Sequence, residues 1–234
     1  LQPLAKVPPI RNMGIGFPGI TPLFTTPEFL KLAKAVYKAG IEEEKWRQAM
    51  GNLEEEIAAL GFPPHGHGFG GVGGAPFDTI SDFYRGMRGA MIDMYRRPDK
   101  LIAACDKILE WRTARATPAD PNKRGNPKRL FIALHRGAEG FMSRKQFERF
   151  YWPTLKKALL ASIELGFVPM PFFEGRYGDR LEYLLELPKG KVVAHFDQTD
   201  MFKAKEVLGG HTCIMGNVPS SLLEVGSPSE VEDC

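Results

Sequence analysis

The sequence predicts an α/β protein built on a parallel sheet, a (βα)8 barrel or part of one, with a doubly wound open sheet as the alternative. Three observations carry this. Four short apolar runs, RLFIALH (129–135), GFVPMPFFE (166–174), KVVAHFD (191–197) and HTCIMGN (211–217), have the length of buried strands. Helical patterns lie between them, the rhythm of βαβ units. Each run ends on polar residues, as the carboxyl ends of parallel strands do where a ligand binds.

Taken in order, Thr26-Pro27-Glu28 caps a helix to Ala39, with Gly40 as its stop, and IEEEKWRQAMGNLEEEIAAL forms a second amphipathic helix ended by Gly61. These make a helical N-terminal part, 1–60, ahead of the βα units of 61–234, within one domain. The glycine-rich stretch GFPPHGHGFGGVGGAPFD (61–78) matches neither a Walker loop nor a strand-GxGxxG-helix unit. It suits a backbone lying close against a large flat ligand, through Gly70 and Gly71, or a plain loop. His65 and His67, two apart, face the same side of an extended segment. Helices are expected from Asp78 to Arg96 and from Pro98 to Thr113, then an exposed connection over 116–127. After the first strand, Ser143 and Gln146 form a capping box, and FERFYWPTLKKALLASIEL carries an apolar stripe to a stop at Gly166.

Composition excludes several classes of function. With 43% hydrophobic and 25% charged residues the chain is ordinary globular material, and a net charge of +3, spread over mixed-sign helix faces, argues against a nucleic-acid partner. Cys105, Cys213 and Cys234 form neither a disulfide framework nor a zinc knuckle, which fits a reducing compartment such as the cytoplasm. No apolar run approaches the 18 residues of a membrane span. The chain opens on Leu1 and closes just after the helix start Ser227-Pro228, so it reads as a fragment of a longer protein.

The strand ends hold the candidate chemistry: His135 with Arg136 and Glu139, Glu174 with Arg176 and Tyr177, His195 with Asp197, and then Asn217. One polar strand end is more often a solvated or capping residue; four in succession indicate a site. His135, Glu174, His195 and Asp197 suit Zn²⁺ or Fe²⁺ by type, but they come from three strands with no short ligand spacing. Cys213, inside the apolar run CIM, reads as a small buried hydrophobe rather than a nucleophile.

GGAPFDTISDFYRGMRGAMIDMYRRPDKL, LHRGAEGFMSRKQFERFYWPTLKKAL and KAKEVLGGHTCIMGNVPSSLLEVGSPSEV together resemble the uroporphyrinogen decarboxylase superfamily, which also holds the corrinoid-dependent methyltransferases. The resemblance runs from about residue 60 onward and implies a (βα)8 (TIM) barrel lacking here its first strands and its last. Two departures weigh against tetrapyrrole decarboxylation. The tyrosine by which the decarboxylases contact the porphyrinogen corresponds to Asp82, and a serine of theirs corresponds to Gly137. The thiol-methylating corrinoid enzymes carry a His-x-Cys zinc pair where this chain ends a strand on Phe172-Phe173-Glu174, so the soft thiolate ligand is missing and no zinc is expected.

A non-thiol acceptor is therefore implied, and tetrahydrofolate is the economical one. Its N5 needs no metal, and the paired N–H donors of the pterin suit a carboxylate. The resemblance then implies methyl transfer between a cobamide, carried on a separate corrinoid protein, and this small-molecule substrate. Glu174 or Asp197 would anchor the pterin, Asn217 would bond near N5, and His135 or His195 would move the proton. Tyr177 would stack on the substrate, and Arg136, Arg180 and Asp82 would line its pocket, with His65, His67, Gly70 and Gly71 against the corrinoid. The alternatives are a uroporphyrinogen decarboxylase-type lyase of porphyrin biosynthesis and a non-catalytic corrinoid- or tetrapyrrole-binding barrel.

Overall fold

The computed structural model describes residues 24–61, 71–119 and 128–233. The chain divides into two compact units, residues 1–64 and 65–234.

The described part of the first unit is one long helix, α1 (Pro27–Ala59), entered through Thr26, whose Oγ1 accepts the Phe29 N–H at 3.2 Å. The expected break at Gly40 does not occur. A helix stop needs a new cap beyond it, and Ile41-Glu42-Glu43 supplies none of the residues that make one. Ion pairs from Glu42 to Lys45 and from Glu44 to Arg47 support the turns just beyond the glycine.

In the second unit, Pro76 starts a short helix, α2 (Pro76–Thr79), that widens into a π-helical turn over Ile80–Tyr84. The single helix expected over 78–96 is broken at Gly86, whose φ of 72° and ψ of 154° are open only to glycine. Helices α3 (Met87–Arg96) and α4 (Pro98–Thr113) follow. Strand β1 (Arg129–Leu134) leads to α5 (Arg144–Gln146), which continues through a π-helical turn, Phe147–Tyr151, into α6 (Trp152–Glu164). The capping box of Ser143 and Gln146 forms as expected.

Strand β2 (Val168–Phe173) is followed by a 3₁₀ helix, Leu181–Glu186, rather than an α-helix, and it ends where Pro188 keeps Leu187 extended. Then come β3 (Val193–Phe196), α7 (Met201–Leu208), β4 (Cys213–Met215), α8 (Ser220–Val225) and α9 (Pro228–Glu232). The strands pair in parallel in the order β1-β2-β3-β4, as the alternation of strand and helix predicts. Among the described residues no helix is long and apolar enough to cross a membrane.

Strand alternation sorts the sheet into two faces. Leu130, Ile132, Leu134, Phe173, Ala194 and Phe196 are buried in the core with the helices. Phe131, Ala133, Phe172 and His195 share the other face by register, and this face is more open, with Phe131 40% exposed. Chain direction is common to all four strands, so their carboxyl ends line up along one edge.

Candidate functional site

The described site is assembled at that edge, beginning with β1. Asp78, on α2, is 6% exposed and spends both carboxylate oxygens on the backbone just past the strand. Oδ2 accepts the His135 N–H at 2.9 Å and Oδ1 the Arg136 N–H at 3.0 Å, and the Tyr151 hydroxyl donates to Oδ2 at 2.7 Å. Burial pushes the Asp78 carboxyl up, and these three hydrogen bonds oppose the shift. The effect is to fix the backbone from which the His135 and Arg136 side chains project.

One turn further along, Asp82 meets those side chains. His135 Nδ1 lies 2.5 Å from Asp82 Oδ2, and Arg136 Nη2 donates to Asp82 Oδ1 at 3.0 Å. Burial alone would raise the Asp82 carboxyl, but the bonds from His135 and Ser81, with the charges of His135 and Arg136, hold it below its usual value. In the neutral imidazole an ionised Asp82 favours the proton on Nδ1, which leaves the lone pair on Nε2, and Nε2 has no partner among the described residues. Arg136 Nε is buried without a partner.

At the end of β2, Glu174 is exposed, and neither of its oxygens has a partner among the described residues. This carboxylate faces solvent although it directly follows the buried Phe173. Past β3, Asp197 is half-buried and accepts the Gly175 N–H at 2.9 Å, tying the second and third strand ends together. His195 packs on Phe172, ring centroids 4.7 Å apart, with Nδ1 buried and unpartnered. Burial lowers its pKa, and the charge of Asp197 pulls it back only in part. Asn217 donates to the Thr199 carbonyl at 2.6 Å, which leaves its side-chain oxygen available.

Three expected ligand contacts take other places. Tyr177 is 2% exposed and packs edge-on against Phe173 and Phe147, so it presents no stacking surface. Arg180, also 2% exposed, lies over the Phe147 ring and donates to the carbonyls of Gly137 and Met142. It supports the β1 loop from below. Gly71 sits against the helix layer: a Cβ there would come 2.6 Å from Leu130 Cδ2 and 3.2 Å from Ser162 Oγ. Its missing side chain lets the backbone approach β1 and α6. His65, His67 and Gly70 lie outside the described residues.

Gly137 marks the tightest spot. A Cβ there would fall 2.5 Å from Tyr177 Oη and 2.6 Å from Tyr151 Cε1, so the two buried tyrosines occupy the space that a side chain would need. Among the described residues no three His, Cys, Asp or Glu side chains converge as a metal site would require.

Sequence reasoning placed His135, Arg136, Asp82, Glu174, His195, Asp197 and Asn217 along the strand ends, and the first three meet in direct contact. It missed Asp78. The signal was there: Asp78 and Asp82 are four apart at the start of a helix and so share its face. Comparison with the curated proteins finds no match. The family model for uroporphyrinogen decarboxylase (URO-D), a family whose members are generally enzymes, matches residues 66–234. That match spans most of the chain and every residue of the site just described, and the chain belongs to the uroporphyrinogen decarboxylase (URO-D) family.

Proposed function

We propose that the protein is a methyltransferase that moves a methyl group between a cobamide, borne by a separate corrinoid protein, and the N5 of tetrahydrofolate, with the four strands forming part of a (βα)8 barrel. The observation that carries this reading is the Asp82–His135 contact of 2.5 Å. It supplies a carboxylate-oriented imidazole at the site where the decarboxylases hold a tyrosine. The other oxygen of Asp82 accepts from Arg136, so this cation is already committed to Asp82 rather than free for a substrate carboxylate. The closed space at Gly137 further supports the departure from decarboxylation, because the serine of that chemistry has no room.

In the direction toward folate, the cobamide would supply a methyl group that N5 takes with its lone pair, the electron pair of the old bond staying with the corrinoid. N5 then sheds its proton. His135 Nε2 accepts it, and Asp82 stabilises the imidazolium that results. Glu174 holds the pterin, since both of its oxygens are unengaged and can take two parallel N–H donors. Asp197 already spends one oxygen on Gly175, which makes it the weaker anchor. His195, with its unpartnered Nδ1, and Asn217, through its free oxygen, offer the remaining polar contacts.

The test is an anaerobic absorbance time course of methylcob(III)alamin with the protein, with and without tetrahydrofolate. Loss of the methylcobalt spectrum that depends on folate is expected. His135→Gln should slow it by about 10²-fold, the usual weight of a general base, and Glu174→Gln should act mainly on KM for folate. Absence of any reaction with folate or thiols, together with turnover of uroporphyrinogen, would replace this reading with decarboxylation.

A further inference from the structure

A groove of about 750 Å³ lies between the π-helical turn Ile80–Tyr84 and helices α3 and α4. The mechanism above makes no use of it. Its wall is apolar, formed by Leu101, Ala104 and Ile108 of α4, yet five cations line it: Arg85, Arg97, Lys100, Lys107 and Arg112. Among the described residues the lining contains a single carboxylate, Asp93.

That carboxylate does not balance the charge. Asp93 takes Arg85 at 2.7 Å and Arg97 more loosely at 3.9 Å. Lys107 pairs with Glu110. Arg112 donates to the Gly74 carbonyl and the Thr79 hydroxyl, neither of which carries charge, and Lys100 has no partner among the described residues. Trp111 and Tyr84 stand at the rim, 55% and 76% exposed. A groove with surplus positive charge over an apolar wall suits a ligand that alternates carboxylates with methylene and amide groups. A simple phosphate would leave the wall unused.

Position supplies the second argument. Ile80 and Tyr84 line the groove, whereas Asp82, between them in the same turn, faces His135 and Arg136. The groove and the proposed methyl-transfer site therefore lie on two sides of one helical segment, a body about 10 Å across. We propose that the groove binds the poly-γ-glutamate tail of a folate whose pterin occupies the site. The aminobenzoyl unit and first glutamyl residue cross the turn, and the later glutamyl carboxylates meet Arg97 and Lys100. This rests on folate as the methyl acceptor.

Calorimetric titration of the full chain with the monoglutamate and the pentaglutamate of tetrahydrofolate tests the proposal. The pentaglutamate is expected to bind about tenfold more tightly, since each exposed ion pair contributes modestly and several add. The advantage should shrink as salt rises. In Arg97→Glu/Lys100→Glu it should vanish, with monoglutamate affinity unchanged. Equal affinity for the two folates overturns the tail site alone and leaves the acceptor standing. Failure of both to bind overturns folate as the acceptor, and the tail site with it.

Discussion

At the scale of the residue, Gly137 and Asp78 carry the most information. Gly137 is small because Tyr151 and Tyr177 fill the space beside it, not because the chain turns there. Gly137→Ser should therefore destabilise the fold by about 1–3 kcal/mol, the usual cost of overpacking a core. Denaturant unfolding would measure this. Adding Tyr177→Phe removes the nearest atom and should restore part of the loss; if it restores none, the clash is not the cause. Asp78 shows why part of the site was hidden in the sequence. Its spacing from Asp82 marks the helix face the two share, but its partners are 57 and 58 residues further along, and the spacing does not announce that the carboxylate will be spent on two distant amides. Tyr177 and Arg180 misled in the opposite way. They follow a strand end and so read as ligand-facing, but the chain folds back after Gly175, and both end up in the core.

At the scale of the element, the strands were the legible part. Apolar runs of strand length with polar ends located β1 to β4 to within about two residues, since a strand buried in a parallel sheet leaves little freedom in composition. Helix interruptions were harder to read. Gly40 looked like a stop and lies inside α1, whereas Gly86 looked internal and breaks a helix. The difference is backbone conformation: Gly86 has a positive φ and Gly40 does not. A Cβ at Gly40 would touch nothing within 4 Å. Gly40→Ala should then stabilise α1 by about 1 kcal/mol, the propensity difference inside a helix, visible as slower amide hydrogen exchange around residue 40. Faster exchange there would contradict a continuous helix. Gly86→Ala should destabilise, because alanine rarely adopts that φ.

For the whole molecule, stability is the property that collects these local terms. The His195 imidazole and the Asp82 carboxyl both titrate lower in the folded chain than in the unfolded one, the first through burial, the second through its hydrogen bonds and neighbouring cations winning over burial. The unfolded chain then binds more protons in each window, so stability rises with pH there. The His195 contribution is complete above the ordinary value of 6.5 and is lost as pH falls through the lower folded value. The Asp82 contribution is lost only below 3.8. Asp78 acts with the opposite sign, because its carboxyl is raised by burial. The denaturation midpoint should therefore decline first on acidification below about pH 6.5, and His195→Asn should flatten that first decline. A decline of the same size in the variant would assign it to another group. The parallel sheet and the edge where its strands end were readable from the rhythm of the chain, whereas the groove beside α4 was not. Its cations are scattered from residue 85 to residue 112 and become neighbours only when α3 and α4 pack.

The crowding around Gly137 also bears on descent. A serine at this position is tolerable only once a neighbouring tyrosine has shrunk, and a shrunken tyrosine leaves a void until the serine arrives. Neither order of substitution avoids a less stable intermediate. Exchange of glycine for serine at this position is thus coupled by epistasis to the two tyrosines beside it.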